Sequence, residues 1–577
     1  MKLISWILIS SCLFALIWCV SGQWGGDSGQ SNGSGISRWD TGGWDTSVFA
    51  KGPSGENIYY EVQARDVLDK IPMEEIQAID VLDKIRMNQS AEFDHVIIKG
   101  DLNLSQLGLC NVYFKQPVKN NHVRDQNSFP YYRGDSSGVF YLGPVSCMRT
   151  ERDKAKLVFS PIKICNSTIE GNIDFSNTIF LKSIDFENTQ IRGNITFDDQ
   201  RCSYMESIFI EAANFRRSQF NGTADFGGSY FNETANFEKS KFNGAADFGY
   251  SIFKNGTLFS NSQFNRGSFF DNSEFHEGTS FVGSQFTGNT FFDYSRFMKY
   301  TDFSNTEFSG IADFKGCNFT KKADFTRTNF NDIVYFIESE FKDDVLFWDS
   351  YYRKPAYFVE SQFDKNADFG DARFNQGADF RESKFNGGIY LGNTKFMGFL
   401  NLTRTKFGIL DIYWPDNTLL VCDDGPTYLN LIQNFRKLEH YDVADNIYFQ
   451  YREWRQNQRT WSEREKLLDI LALYTCGYGV RMDYTIFSSI IILIAFGFIY
   501  LGRSWSGGIT DSSFLQKVNE SFWFSAIILL SAPKELYPLE TRTYETYAEK
   551  IKYFTIIERF IGWGLLIILI SGRNEIT

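Results

Sequence analysis

Seven aspartates recur at equivalent places of a repeated pattern and are the first candidates for ligand binding: Asp225, Asp247, Asp302, Asp313, Asp324, Asp368 and Asp379. Carboxylates stacked in columns would suit a hard cation such as Ca²⁺, which prefers oxygen ligands. Repeat proteins that bind Ca²⁺ this way carry Gly-Gly-x-Gly-x-Asp loops. None accompanies these residues, so they are expected to be solvated strand-face side chains. The four histidines, His95, His122, His276 and His440, are scattered and cannot supply a His-rich metal site. No Ser–His–Asp order, zinc motif or phosphate loop is present. The sequence therefore predicts no catalytic residue, no cofactor and no metal.

Two further residue types have chemical uses. Of the nine cysteines, Cys110 and Cys147 fall within one segment and form a candidate disulfide in an exported chain. Cys317 occupies a place that Ser or Ala fills elsewhere and is expected to be a buried, inert thiol. Asn-x-Ser/Thr triplets at Asn166, Asn194, Asn221, Asn232, Asn255, Asn318 and Asn401 are candidate glycosylation acceptors. The repeat itself favours Asn, Ser and Thr, so the triplets also arise without any such use.

The elements that position these residues are set by phenylalanine. The chain has 577 residues, 58 of them Phe and 29 Tyr. From Phe209 to Phe407 one aromatic or apolar series runs Phe215, Phe226, Phe237, Phe248, onward through Phe303, Phe314 and Phe325 to Phe369 and Phe380, with a period of 11. A second series starting at Phe220 interleaves with it in steps of 6 and 5. Two residues before each aromatic sits a small one, such as Ala213, Ala224, Ser218 or Ser229. Residues i and i−2 of a strand share a face, so each short strand points one large and one small side chain inward. The residue between them points outward. An α-helix would scatter these Phe residues around its axis. A unit this short cannot bury its Phe alone, and stacking on identical neighbours closes a continuous core.

The pattern resembles the pentapeptide-repeat family, in the form with one extra residue per two pentads: Ala224-Asp-Phe-Gly-Gly-Ser-Tyr-Phe231, then Ala235-Asn-Phe-Glu-Lys-Ser-Lys-Phe242. The resemblance covers about 240 residues, from roughly Pro161 to Leu410. It implies a mainly β fold, a right-handed quadrilateral β-helix with a Phe ladder inside. Eighteen units at two per coil give about nine coils, plus the earlier ones. Some members of the family bind DNA gyrase by imitating DNA, which needs a strongly acidic rod. Residues 209–407 hold 25 acidic and 22 basic side chains, too even a balance for that role. The whole chain has a net charge of −12 and no basic block, so no nucleic-acid partner is expected.

The flanks read as export and membrane segments. Residues 1–22 have the layout of a signal peptide, or of an anchor if uncleaved, and 23–55 form a Gly/Ser-rich spacer. Residues 56–94 are expected as a short helical cap, and 95–410 as the β-helix with an insertion at 107–159. A charged helical linker follows at 411–480. Within 481–577, the stretches 484–502 and 553–570 are long enough to span a bilayer, while Ser521–Leu530 is too short and reads as re-entrant. Six Lys/Arg in the loop 503–552 put that loop in the cytoplasm and the large domain outside.

The segments Ser521-Phe-Trp-Phe-Ser525 and Ile557-Glu-Arg-Phe-Ile-Gly-Trp563 resemble a two-helix potassium-channel pore module of the kind fused to these repeats in archaeal membrane proteins. The filter position departs from that pattern. A potassium filter needs stacked carbonyls of a Gly-containing strand, and Ser531, Ala532, Pro533 and Lys534 stand there instead. The expectation is therefore a non-catalytic structural or binding scaffold at the cell surface. Its partners would be the membrane and a protein or glycan, with homo-oligomers forming through the membrane module. The alternative is an ion channel or sensor with the β-helix as its extracytoplasmic domain.

Overall fold

The computed structural model describes residues 72–109, 111–113, 133–134, 140–141, 154–198, 207–412, 419–458, 460, 464–506, 514–530 and 541–574. They fall into two units, Pro72–Arg459 and a helical one whose described residues begin at Thr460. The expected signal peptide and spacer lie outside the described residues.

Two-residue strands at intervals of five and six residues build the first unit. Each strand pairs in parallel with its equivalent in the next coil, as Phe220 does with Phe242, Phe242 with Phe264 and Phe264 with Phe286. The result is a parallel solenoid of about 13 turns with four long sheets, three of 13 strands and one of 12. The count exceeds nine because the sheets already include Glu74–Gln77, Ala91–Asp94, Val96–Lys99 and Leu102–Asn103. Of the segment expected as a cap, the described residues give the strands Glu74–Gln77 and Ala91–Asp94 to these sheets. Its one described helix is α1 (Ala78–Arg86), which lays Ala78, Val81, Leu82 and Ile85 on the core.

Two interruptions stretch the 22-residue coil. Ile98 pairs with Ile169, and Ile195 pairs with Ala224. The first contains the expected insertion, whose last residues, Lys154–Val158, rejoin the sheet beside Thr178–Phe180. The only antiparallel rung of the four long sheets among the described residues is there, Asn111–Tyr113 against Lys154–Val158.

Phe215, Phe226, Phe237, Phe248, Phe303, Phe314, Phe325 and Phe369 are completely buried, and Phe380 nearly so. Rings one coil apart stack almost parallel, for example Phe226 on Phe248 at 5.0 Å and Phe303 on Phe325 at 4.9 Å. Rings of the two facing ladders meet edge to face, as Phe226 does with Phe237 at 5.2 Å. Each buried Phe contributes about 2–3 kcal/mol by leaving water, and each aromatic pair roughly 0.5–1.5 kcal/mol more. One core runs without a break from Ala78 to Ile447.

Two corners per coil have left-handed backbone, seen at Lys239, Tyr250, Asn261 and Asn272. At one such corner, Gly316 (φ 64°), a Cβ would also lie 2.6 Å from the Tyr294 ring, so glycine meets both demands.

The last coil is closed by a helix. Asp424 caps α2 (Gly425–Lys437) by accepting from the Thr427 N–H at 2.9 Å. The Asn434 side chain then pairs with the backbone of Leu410: its Nδ2 donates to the carbonyl at 2.7 Å, and its Oδ1 accepts from the N–H at 2.9 Å. A longer helix, α3 (Tyr441–Gln458), packs on α2.

The second unit contains α4 (Arg464–Cys476), α5 (Met482–Ser506), α6 (Phe514–Leu529) and α7 (Thr541–Asn574). Among the described residues, one helix is long and apolar enough to cross a bilayer, the 22 residues Met482–Arg503 with mean hydropathy 2.2. The short helix starts seven residues earlier than expected, because the apolar run marks its buried part rather than its full extent. The other expected span, 553–570, lies inside α7 and contains Glu558, which is fully buried. The C-terminal end of α6 lies against α7 at Gly562, where a Cβ would meet the Leu529 carbonyl at 2.1 Å.

Candidate binding faces of the solenoid

The aspartate columns are not free solvated carboxylates. Asp225 Oδ1 accepts from the Gly227 N–H at 3.1 Å, Asp247 from Gly249 at 2.8 Å, and Asp302 from Ser304 at 2.8 Å. Asp313, Asp324, Asp368 and Asp379 do the same at 2.9, 2.9, 2.8 and 3.1 Å. Each carboxylate thus closes the turn that follows its strand. Asn214, Asn236 and Asn401 stand at equivalent places and make the same bond. An amide serves as well as a carboxylate, so the columns are explained by the acceptor they supply. Among the described residues, no group of three or more His, Cys, Asp or Glu could hold a metal ion.

Crowding still costs these carboxylates. Burial is the larger cause and the neighbouring Asp198 and Asp247 a smaller one in pushing Asp225 up to about 6. Asp247, Asp293 and Asp313 are also held above the usual carboxylate range, chiefly by burial. Asp379 alone of the seven is paired with a cation, Arg381 at 2.8 Å.

Asparagines make a second kind of column. Asn265 Nδ2 donates to Asn243 Oδ1 at 2.8 Å, and Asn243 Nδ2 to Asn221 Oδ1 at 2.7 Å. Several triplet asparagines spend the nitrogen that a glycan would need. Asn166 Nδ2 donates to Asp94 at 2.8 Å, Asn232 to the Ile210 carbonyl at 3.2 Å, Asn255 to Glu233 at 3.0 Å and Asn318 to Glu340 at 2.8 Å. Asn194 is exposed, and its carbonyl oxygen accepts from the Thr223 N–H at 2.8 Å. Asn401 is nearly buried.

The thiols face backbone carbonyls. Cys317 is fully buried and donates to the Phe292 carbonyl at 3.0 Å, burial pushing its thiol well up. Serines do the same at this place: Ser240 donates to Phe215 O at 2.6 Å and Ser273 to Phe248 O at 2.7 Å. The small inward place is therefore filled for its hydrogen as well as its size, a role that spacing did not disclose. Cys165 and Cys422 are buried, and each thiol is pushed up to about 12 mainly by burial. The candidate disulfide Cys110–Cys147 and the filter position Ser531, Ala532, Pro533 and Lys534 lie outside the described residues.

Outward aromatic and apolar groups form columns as well. Phe269 stacks on Phe291 at 5.5 Å, and Tyr335 on Tyr357 at 5.4 Å, so each ring gives a face to its neighbour along the rod. Leu157, Ile179, Ile208 and Tyr230 form a buried cluster separate from the main core. Its sequence signal was the run of Ile and Tyr at places that are polar in later coils.

Family comparison draws on the same coils. Residues 206–252, 303–350 and 358–406 match the family model described as pentapeptide repeats, in nine copies. No curated protein and no solved structure matches the chain. The ladders, the small hydrogen-bonding place and the turn-closing acceptor recur throughout these segments, and the chain carries pentapeptide repeats.

Proposed function

We propose that this chain is a non-catalytic scaffold: an exported pentapeptide-repeat rod held at the cell membrane by its helical C-terminal unit. The rod offers regular outward faces to a protein or glycan partner. The observation that carries the reading is the division of labour in every coil. Inward side chains go to the ladders, outward polar ones close turns or bond to the coils above and below, and among the described residues no cluster converges on a reacting atom. The apolar helix Met482–Arg503, with Phe487, Ile490, Ile491 and Phe498 exposed, supports the membrane part. The rod would wind right-handed, as the family resemblance implies, and lie outside the cytoplasm. Asn194 is the acceptor best placed to carry a glycan.

The test is protease shaving of intact cells expressing the full chain with a C-terminal tag, followed by alkaline carbonate extraction of membranes. The expected result is a rod cleaved from outside and a tagged helical fragment that stays with the membrane. A rod protected in intact cells, or a chain released by carbonate, overturns the reading. Ion-selective currents from the purified chain in planar bilayers would replace it with the channel or sensor alternative.

A further inference from the structure

In sequence, Glu558 is half of an adjacent Glu–Arg pair; in the helical unit it is fully buried. Tyr500 Oη of α5 lies 2.5 Å from its Oε2, and Ser525 Oγ of α6 lies 2.5 Å from its Oε1. Ser525 Oγ is also 3.0 Å from the Leu493 carbonyl oxygen of α5. These are three oxygen–oxygen contacts at hydrogen-bond distance. Tyr500 and Ser525 bring one hydroxyl proton each, whereas a carbonyl and an ionised carboxylate bring none. With an ionised Glu558, Ser525 must divide one proton between two acceptors. A proton on Glu558 gives each contact its own.

The surroundings agree with that count. Tyr500, Phe524, Ile528 and Ile551 form the buried cluster around the carboxyl, with Phe496, Ile499 and Phe554 packed against it. The groups facing Glu558 are Tyr500 from α5 and Ser525 from α6. The charged side chains described on these helices are Asp483 and Arg503 on α5, Lys517 and Glu520 on α6, and Lys552 and Arg559 on α7. None forms an ion pair with Glu558 among the described residues. A lone charge buried among apolar side chains is strongly disfavoured, and a neutral acid with both oxygens bonded is not.

We propose that Glu558 is carried as a neutral carboxylic acid and is the proton-binding site of the helical unit. Its O–H donates to Ser525 Oγ, Ser525 donates to the Leu493 carbonyl, and Tyr500 donates to the other carboxyl oxygen. All three helices are then joined through one acid group. When the proton leaves to water, the Leu493 carbonyl and the carboxylate compete for the Ser525 hydroxyl, and a charge is left inside the cluster. Proton release therefore loosens α7 from α5 and α6.

The test is infrared difference spectroscopy on the full chain in detergent micelles at neutral pH, comparing wild type with Glu558→Gln. An amide reproduces the acid's pattern, with its nitrogen donating to Ser525 and its oxygen accepting from Tyr500. The expected result is a wild-type carboxylic-acid C=O band that shifts in D₂O and is lost in Glu558→Gln, at unchanged helix content by circular dichroism. Loss of a carboxylate band instead, or no difference, overturns the proposal. Failure of Glu558→Gln to fold also counts against it, because the amide should fit. In Tyr500→Phe, which removes one donor to the acid, the C=O band should move to higher frequency; a band that stays in place would show that this carboxyl is not its source.

Discussion

The interior of the solenoid and the interior of the helical unit both bury hydroxyl groups, and they satisfy them in different ways. In the rod, Ser240, Ser251, Ser273, Ser284 and Ser339 each donate to a Phe carbonyl of an earlier coil, one donor to one carbonyl, at 2.5–2.8 Å. In the helical unit, Tyr500, Ser525, Leu493 and Glu558 make a single network in which acceptors outnumber hydroxyl donors. A repeat solves its polar problem once and copies the solution, so the same one-to-one bond recurs from coil to coil, with Ser229 Oγ and Tyr352 Oη as buried exceptions. A network that occurs once can hold an imbalance, and a titratable proton is what closes it. Chemistry that responds to conditions is thus concentrated where the sequence does not repeat.

Five measurements test this contrast. Phe303→Ala should have the largest effect, a loss of about 3–5 kcal/mol in chemical denaturation, because the ring stacks on both neighbours and the rigid coil cannot collapse around the cavity. Ser525→Ala should cost about 2 kcal/mol by thermal unfolding, since it removes the group that both Glu558 and Leu493 use.

Asp225→Asn should raise stability by about 1–2 kcal/mol at pH 7 and change nothing near pH 3. The sign follows from a folded pKa of about 6 against an ordinary 3.8. The unfolded chain gives up its proton first, so the acid's contribution is present below 3.8 and is lost as pH rises through 6. The amide keeps the bond to Gly227, as Asn236 does to Glu238.

Ser273→Ala should cost only about 1 kcal/mol, because Phe248 O keeps the Ser251 N–H at 3.2 Å and Ala372 fills the same place without a hydroxyl. A loss as large as that of Ser525→Ala would erase the contrast between the two interiors. Arg404→Ala, which breaks an exposed pair with Glu382 at 3.0 Å, should change stability by less than about 0.5 kcal/mol.

Much of the rod was legible because its rule is periodic. The interleaved Phe series, the small residue two places before, and the outward residue between them follow from strand alternation alone. The pairing of Phe220 with Phe242 is one coil's arithmetic. What stayed hidden is what periodicity cannot separate. A column of Asp looks the same whether it faces solvent or closes turns, and only the bond from Asp225 to the Gly227 N–H tells them apart. A small inward Ser looks like a space-saver until its hydrogen is traced to Phe215. The Glu558 node was hidden for the opposite reason. Its partners Tyr500 and Ser525 are far apart along helices with no shared beat, so nothing in the spacing brings them together.

Asn434 gives one of the rod's four sheets its end. A parallel stack of coils has no intrinsic end, because each rung presents the same unpaired N–H and C=O groups to whatever comes next, including a strand of another molecule. The Asn434 amide offers Leu410 one donor and one acceptor in a single planar group, standing in for the peptide of a further coil, and the rest of α2 covers the rung. It works as a chain terminator in the polymer chemist's sense: propagation stops because the growing end has been given a partner that cannot itself be extended. Without it, that rung would be left as an open edge, the kind of surface that pairs with a strand of another molecule.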